Sequence, residues 1–136
     1  MSSDHRLDDL FAQAALYDIV EAGPTAADLA QAPLLNHWVA MQDRTGRVML
    51  FGRVADHPRF GNRDIHTSQV FGLDAEGNWA RTYNRWYVLG TPYSACENDT
   101  LNLPALPALS GPVEVRAVLA AEAGMVRELL ARTRKH

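Results

Sequence analysis

The side chains with most chemical character lie between His57 and Gly90. Over Trp79–Leu89, a period of two places Trp79, Arg81, Tyr83, Arg85, Tyr87 and Leu89 on one face of a strand. Asn78, Ala80, Thr82, Asn84, Trp86 and Val88 take the other. An Arg–Tyr–Arg–Tyr ladder is a guanidinium and aromatic platform, suited to stacking bases and holding phosphates. Its bland counterpart is a seam in which acids of another element pair the arginines. Guanidinium groups are not buried unpaired at tolerable cost, so the face is either seamed or open to a ligand. Arg81 is expected in the seam and Arg85, nearer the strand end, partly exposed. The candidate binding residues are thus Arg81, Tyr83, Arg85 and Tyr87, with Arg59 and Arg63 from the preceding segment.

A second constellation runs His57-Pro58-Arg59-Phe60-Gly61-Asn62-Arg63-Asp64 and continues into His66-Thr67-Ser68. Two imidazoles and a carboxylate are a donor set for a metal. The spacing of His57 and His66 matches no standard ligand motif, so His57, Asp64 and His66 are read as residues that fix a loop, with the His57 ring hydrogen-bonded inside. A Ser68–His66 nucleophile and base is rejected, because residues two apart on a strand lie ~7 Å from each other. Cys96 has no basic neighbour to activate its thiol, and a single cysteine forms neither an internal disulfide nor a Cys₄ zinc site. No phosphate loop or dinucleotide fingerprint occurs. No cofactor or metal is expected.

Twelve of the 13 basic residues are arginine, yet the net charge is −3, which does not suit a committed nucleic-acid binder. Charge is uneven along the chain. Residues 1–42 carry six acids against Arg6, whereas residues 43–90 carry seven arginines against five acids. The 136 residues suit one ordinary domain with a real apolar core. No run approaches the ~18 apolar residues of a membrane span. Met1–Arg6 leads into an amphipathic stretch rather than a signal-peptide core, so a soluble, cytoplasmic chain is expected.

The elements that must position these residues begin with a helix over 5–22, where Leu7, Leu10, Phe11, Ala14 and Tyr17 recur at helical spacing. Gly23-Pro24 stops it. Thr25 and Asp28 form a capping box for a short second helix ending near Gln31. From residue 35 the period becomes two: Leu35–Gln42 and Arg47–Ala55 form a hairpin about the turn Asp43-Arg44-Thr45-Gly46. In the first of these, Leu35, His37, Val39 and Met41 are expected to share a face. Asp56–Asn62 is read as a loop, Ile65–Leu73 as a third strand, Asp74–Gly77 as a turn and Trp79–Leu89 as a fourth strand. Val39, Met41, Leu50, Phe51, Val70 and Trp86 are expected in the core. The prolines of 91–112 make that segment an ordered crossing with leucine anchors. Val113–Leu119 fits a strand or the start of a helix, and the penalty for Gly124 inside a helix favours strand, turn and a helix near 121–134. The expected fold is α+β, a single domain over 1–136. A helical N-terminal layer (5–34) and a C-terminal helix pack on a three- to five-stranded antiparallel meander (35–90).

The block His57-Pro58, His66-Thr67-Ser68, Leu73-Asp74, Trp79-Ala80-Arg81-Thr82, Arg85-Trp86-Tyr87 and Leu89-Gly90 resembles one found in small uncharacterised bacterial proteins. These are proteobacterial and sometimes phage- or plasmid-associated. Their pattern reads W-A-R-T-x-x-R-W-Y-x-L-G, and Tyr83-Asn84 fills its variable pair. The resemblance implies no activity; its genomic company implies an accessory or anti-defence role. Small size, the lack of a catalytic constellation and the charge asymmetry make a small non-enzymatic protein that binds another protein the leading functional expectation. A single-stranded nucleic-acid binder using the Arg/Tyr face comes next, and a small metal-dependent enzyme around His57 and His66 comes last.

Overall fold

The computed structural model describes residues 2–57, 61–93 and 103–134. Among these residues nine elements follow in order: α1 (Ser2–Ala22), α2 (Ala26–Gln31), β1 (Leu34–Gln42), β2 (Val48–His57), β3 (Gly61–His66), β4 (Val70–Leu73), β5 (Trp79–Thr82), β6 (Trp86–Leu89) and α3 (Pro112–Arg134). The fold is α+β with a helix at each end. The sheet has six strands in the order β3-β2-β1-β6-β5-β4 and is mixed, because β1 and β6 run parallel. This corrects the expected three- to five-stranded antiparallel meander. The parallel pair is tied by Val88 N–H donating to Pro33 O at 3.0 Å and Gly90 N–H to Leu35 O at 2.9 Å.

The connection from β3 to β4 dictates the shape of the sheet. These strands occupy opposite edges, yet only Thr67, Ser68 and Gln69 join them. Flat, the two edges of six strands stand about 24 Å apart, whereas four peptide steps reach about 14 Å. The sheet must therefore curl. The link is pinned on both sides, Thr67 N–H donating to Leu50 O at 2.9 Å and Tyr83 N–H to Gln69 O at 2.8 Å. Thr67 Oγ1 also accepts from Leu50 N–H at 3.1 Å. The main core, which includes Leu35, Leu50, Val54, Val70, Leu73, Ala80, Tyr87 and Leu89, is completed by Leu109 and by Val115 and Leu119 of α3. A second core lies between the helices and β4: Leu16, Tyr17, Phe71, Val126 and Leu130.

Four local expectations are corrected. In β1, a bulge between Asn36 and Val39 holds His37 at φ 52° and reverses the alternation. Leu35, Trp38 and Ala40 therefore enter the core, and Val39 is half-buried. Phe51 is also only half-buried, while Met41, Leu50, Val70 and Trp86 are buried. The expected third strand is two strands, β3 and β4, and the expected loop at 56–62 contributes to β2 and β3 at its ends. Finally, 113–119 belongs to α3, which runs unbroken to Arg134. Pro112 suits the first helical turn, Ser110 Oγ and N–H both donate to Glu114, and Gly124 lies on the exposed side. In the crossing, Leu109 N–H donates to Ala40 O at 2.8 Å and Gln42 N–H to Pro107 O at 3.1 Å. Cys96 and Leu101 lie outside the described residues.

Candidate functional site

The expected fourth strand is a tight hairpin. Thr82 and Arg85 close it: Thr82 N–H donates to Arg85 O at 2.9 Å, and Arg85 N–H donates to Thr82 Oγ1 at 3.2 Å. Tyr83 and Asn84 form the tip, so the variable pair of the W-A-R-T-x-x-R-W-Y block is a turn. The block's final Gly90 also has a physical reason. A Cβ there would stand 2.5 Å from Asn36 Oδ1, which accepts from Thr91 N–H at 2.7 Å.

The turn dismantles the expected Arg–Tyr ladder. Cross-strand pairing sets Ala80 against Tyr87 and Arg81 against Trp86, so Arg81 and Tyr87 lie on opposite faces. Tyr87 is buried in the main core, where burial pushes its phenol pKa up against the opposing charge of Arg85. Tyr83 is exposed at the tip. Arg81 and Arg85 nevertheless meet in a shallow polar cleft of about 230 Å³, lined also by Asn84, Trp86 and, from the α2 side, Asp28, Gln31, Ala32 and Pro33.

Each wall of this cleft is locally determined. Thr25 caps α2 and Asp28 completes the box, Asp28 N–H donating to Thr25 Oγ1 at 3.0 Å and Thr25 N–H to Asp28 Oδ2 at 2.9 Å. These bonds from Thr25 hold the Asp28 carboxyl below its ordinary pKa. The Arg81 guanidinium lies 5.4 Å from the centre of the Trp86 ring, which in turn meets Trp79 edge-on at 5.4 Å. Arg81 Nε is sealed from solvent without a hydrogen-bond partner. Burial lowers the Arg81 pKa and the Asp28 charge opposes that shift, but a guanidinium stays charged throughout the physiological range. The result is a fixed cation with an unused donor, a second arginine beside it, and an indole face. Sequence reasoning found both arginines and missed α2 as the opposite wall. The signal available was the acidic cap of that helix.

The loop residues are dispersed. His66 lies opposite Phe51 and His57 opposite Gly61, at the two ends of the β2–β3 ladder. Six residues of strand separate them by about 20 Å. His57 is buried, its Nε2 3.2 Å from the Tyr87 hydroxyl. His66 is exposed, its ring centroid 5.8 Å from that of Phe51. Asp64 pairs with Arg53 at 2.8 Å on the surface, and Arg63 is exposed opposite Val54. Arg59 lies outside the described residues. Among those residues, no group of three or more His, Cys, Asp or Glu side chains is placed to hold a metal, and no helix is long and apolar enough to cross a membrane.

No curated protein and no solved structure matches the chain. A family model does match, over residues 6–115, from the first turns of α1 through the sheet and crossing to the start of α3. The chain belongs to that family, DUF6634, a family of unknown function.

Proposed function

We propose that this chain is a non-enzymatic accessory domain that binds another protein, gripping an acidic segment of it in the cleft of Arg81, Arg85 and Trp86. The observation that carries the reading is the meeting of two guanidinium groups, Arg81 and Arg85, in one cleft beside the Trp86 indole. An arginine offers its remaining N–H groups as a fork to a carboxylate. Trp86 supplies an apolar surface for the residue next to that carboxylate. Asp28 on the far wall limits the net attraction and favours a partner that brings an acid and a neutral neighbour rather than a dense run of phosphates.

A titration of the full chain, followed by NMR, tests this with a decapeptide of alternating Glu and Leu and with its Gln counterpart. The Glu peptide is expected to shift amide signals of residues 28–33 and 81–86 saturably. Replacing Arg81 and Arg85 together by Ala is expected to weaken binding roughly tenfold or more, as losing a charge-assisted hydrogen bond does. Equal binding of the Gln peptide, or shifts elsewhere, would sink the proposal. Tighter binding of a single-stranded oligonucleotide with a steep salt dependence would replace it with the nucleic-acid reading.

A further inference from the structure

A second concavity lies away from the arginine cleft, between the C-terminal half of α1, one face of α3, and β4 with its following turn. Its volume is about 510 Å³, within the range of small-molecule sites. It has a chemical pattern of its own. Along α3 the residues lining it are Arg116, Leu119, Ala120, Ala123 and Arg127, recurring at three and four so that they form one helical stripe. The middle of the stripe is small and apolar, and an arginine stands at each end, about 16 Å apart along the axis. Val20 and Phe71 continue the apolar floor, and Gly72 contributes backbone alone.

The charges in the groove are not equally free. Arg127 lies 3.3 Å from Asp18 and 3.4 Å from Glu21, so Glu21 is already answered. Asp74 accepts from Asn78 N–H at 3.1 Å within the β4–β5 turn. Arg116 has no hydrogen bond or ion pair among the described residues. The groove thus presents an apolar trough with one uncommitted cation at its α3 N-terminal end. A ligand that satisfies both features has an apolar body and a single anionic head.

We infer that this groove binds a small amphipathic acid, its body lying over Phe71, Leu119 and Ala123 and its carboxylate on Arg116. The site is independent of the arginine cleft. Two guanidinium-bearing turns about 16 Å apart leave length for an extended acyl chain, and a helix-sized partner would not fit a space of about 510 Å³.

The test uses dodecanoate on the full chain, read by displacement of anilinonaphthalene sulfonate fluorescence and by calorimetry. Dodecyltrimethylammonium serves as the charge-reversed control. Near-ultraviolet circular dichroism is recorded throughout, because the dye also reports loosened cores. Dodecanoate is expected to bind saturably with one-to-one stoichiometry. Arg116→Ala, at an exposed position, is expected to weaken it about tenfold with the dichroism unchanged. Ala120→Phe, also at an exposed position, is expected to fill the trough and abolish binding. Arg81→Ala is expected to leave dodecanoate affinity unaltered, which separates failure here from failure of the peptide-binding reading. No saturable binding below about 1 mM, equal binding of the ammonium compound, or unchanged affinity in both Arg116→Ala and Ala120→Phe would each overturn the inference.

Discussion

The two cores of this molecule are held by different means. Inside the curl, Leu35, Val48 and Leu50 have 0% exposure and stand on strands whose backbones are paired in a hydrogen-bonded ladder. Beneath α1 and α3 the packing on the sheet has no hydrogen-bonded ladder among the described residues, and burial is less complete. Leu16 keeps 8% of its surface, and the apolar side chains packed around this core, Leu7, Leu10, Ala14, Val20 and Ala123, are only partly buried. Backbone pairing fixes the spacing of strands and so forces close packing between them. Helices laid on a sheet edge have no such constraint, and the gap between them is the groove beside β4. The inner core therefore sets stability, and the outer layer has room for a ligand.

The largest effect that checks this division is Leu50→Ala. A fully buried leucine in a ladder that cannot relax leaves a cavity, and the expected loss is about 2–5 kcal/mol. Leu16→Ala in the outer core is expected near the bottom of that range, about 2 kcal/mol, because α1 is free to settle into the space. Urea denaturation at neutral pH measures both. Equal losses at the two sites would erase the distinction between a caged and a settling core.

The next effect is steric, at a place where α1 and β4 meet closely. A Cβ on Gly72 would stand 2.3 Å from Val20 Cγ1, so α1 rests directly on the backbone of β4. Gly72→Ala is expected to destabilise by about 1–3 kcal/mol, as overpacking does. Val20→Ala removes the opposing methyls. In the double variant the two losses are then expected to be less than additive, a coupling that a double-mutant cycle reads directly. Strict additivity would mean that α1 does not bear on Gly72.

These contacts also mark how far local pattern reaches. The capping box of Thr25 and Asp28, the Asp43–Gly46 turn and the Asp74–Gly77 turn were legible because each is written in residues that hydrogen-bond their own backbone or adopt positive φ. The Tyr83–Asn84 turn was not legible. It contains no glycine or proline, neither residue takes positive φ, and unbroken alternation runs straight through it. The bulge at His37 was equally silent, and it moved Trp38 into the core while leaving Val39 half out. Gly124 misled in the opposite direction: its penalty is real, but twenty-three residues of helix packed against β4 and α1 outweigh it. The parallel pairing of β1 with β6, and with it the approach of α2 to Arg81, depends on residues some fifty apart. Of the candidate site, the sequence carried the arginines; the wall facing them required the topology.

The smallest expected effect belongs to the outer layer again and depends on pH. Glu122 of α3 is part-buried, with Oε2 sealed from solvent and unpartnered, beside the similarly unpartnered Tyr17 hydroxyl of α1. Burial raises its pKa above the ordinary glutamate value; Asp43 adds to the shift, and Tyr17 and Arg47 oppose it. A carboxyl whose pKa is higher folded than unfolded holds its proton more tightly in the native state. Its contribution is therefore complete below the unfolded value, about 4.3, and is lost as pH rises through the folded one. Tyr17, whose pKa burial also raises, stays neutral across this range and adds no slope. Glu122→Gln removes the charge and leaves an amide of the same size beside the Tyr17 hydroxyl. It is expected to raise the melting temperature at pH 7, with the gain shrinking to nothing near pH 4. A gain independent of pH would assign the effect to packing, and a loss at pH 7 would mean that Arg47 pairs the carboxylate after all. Either result would place this junction with the closed inner core rather than with the loosely held outer layer.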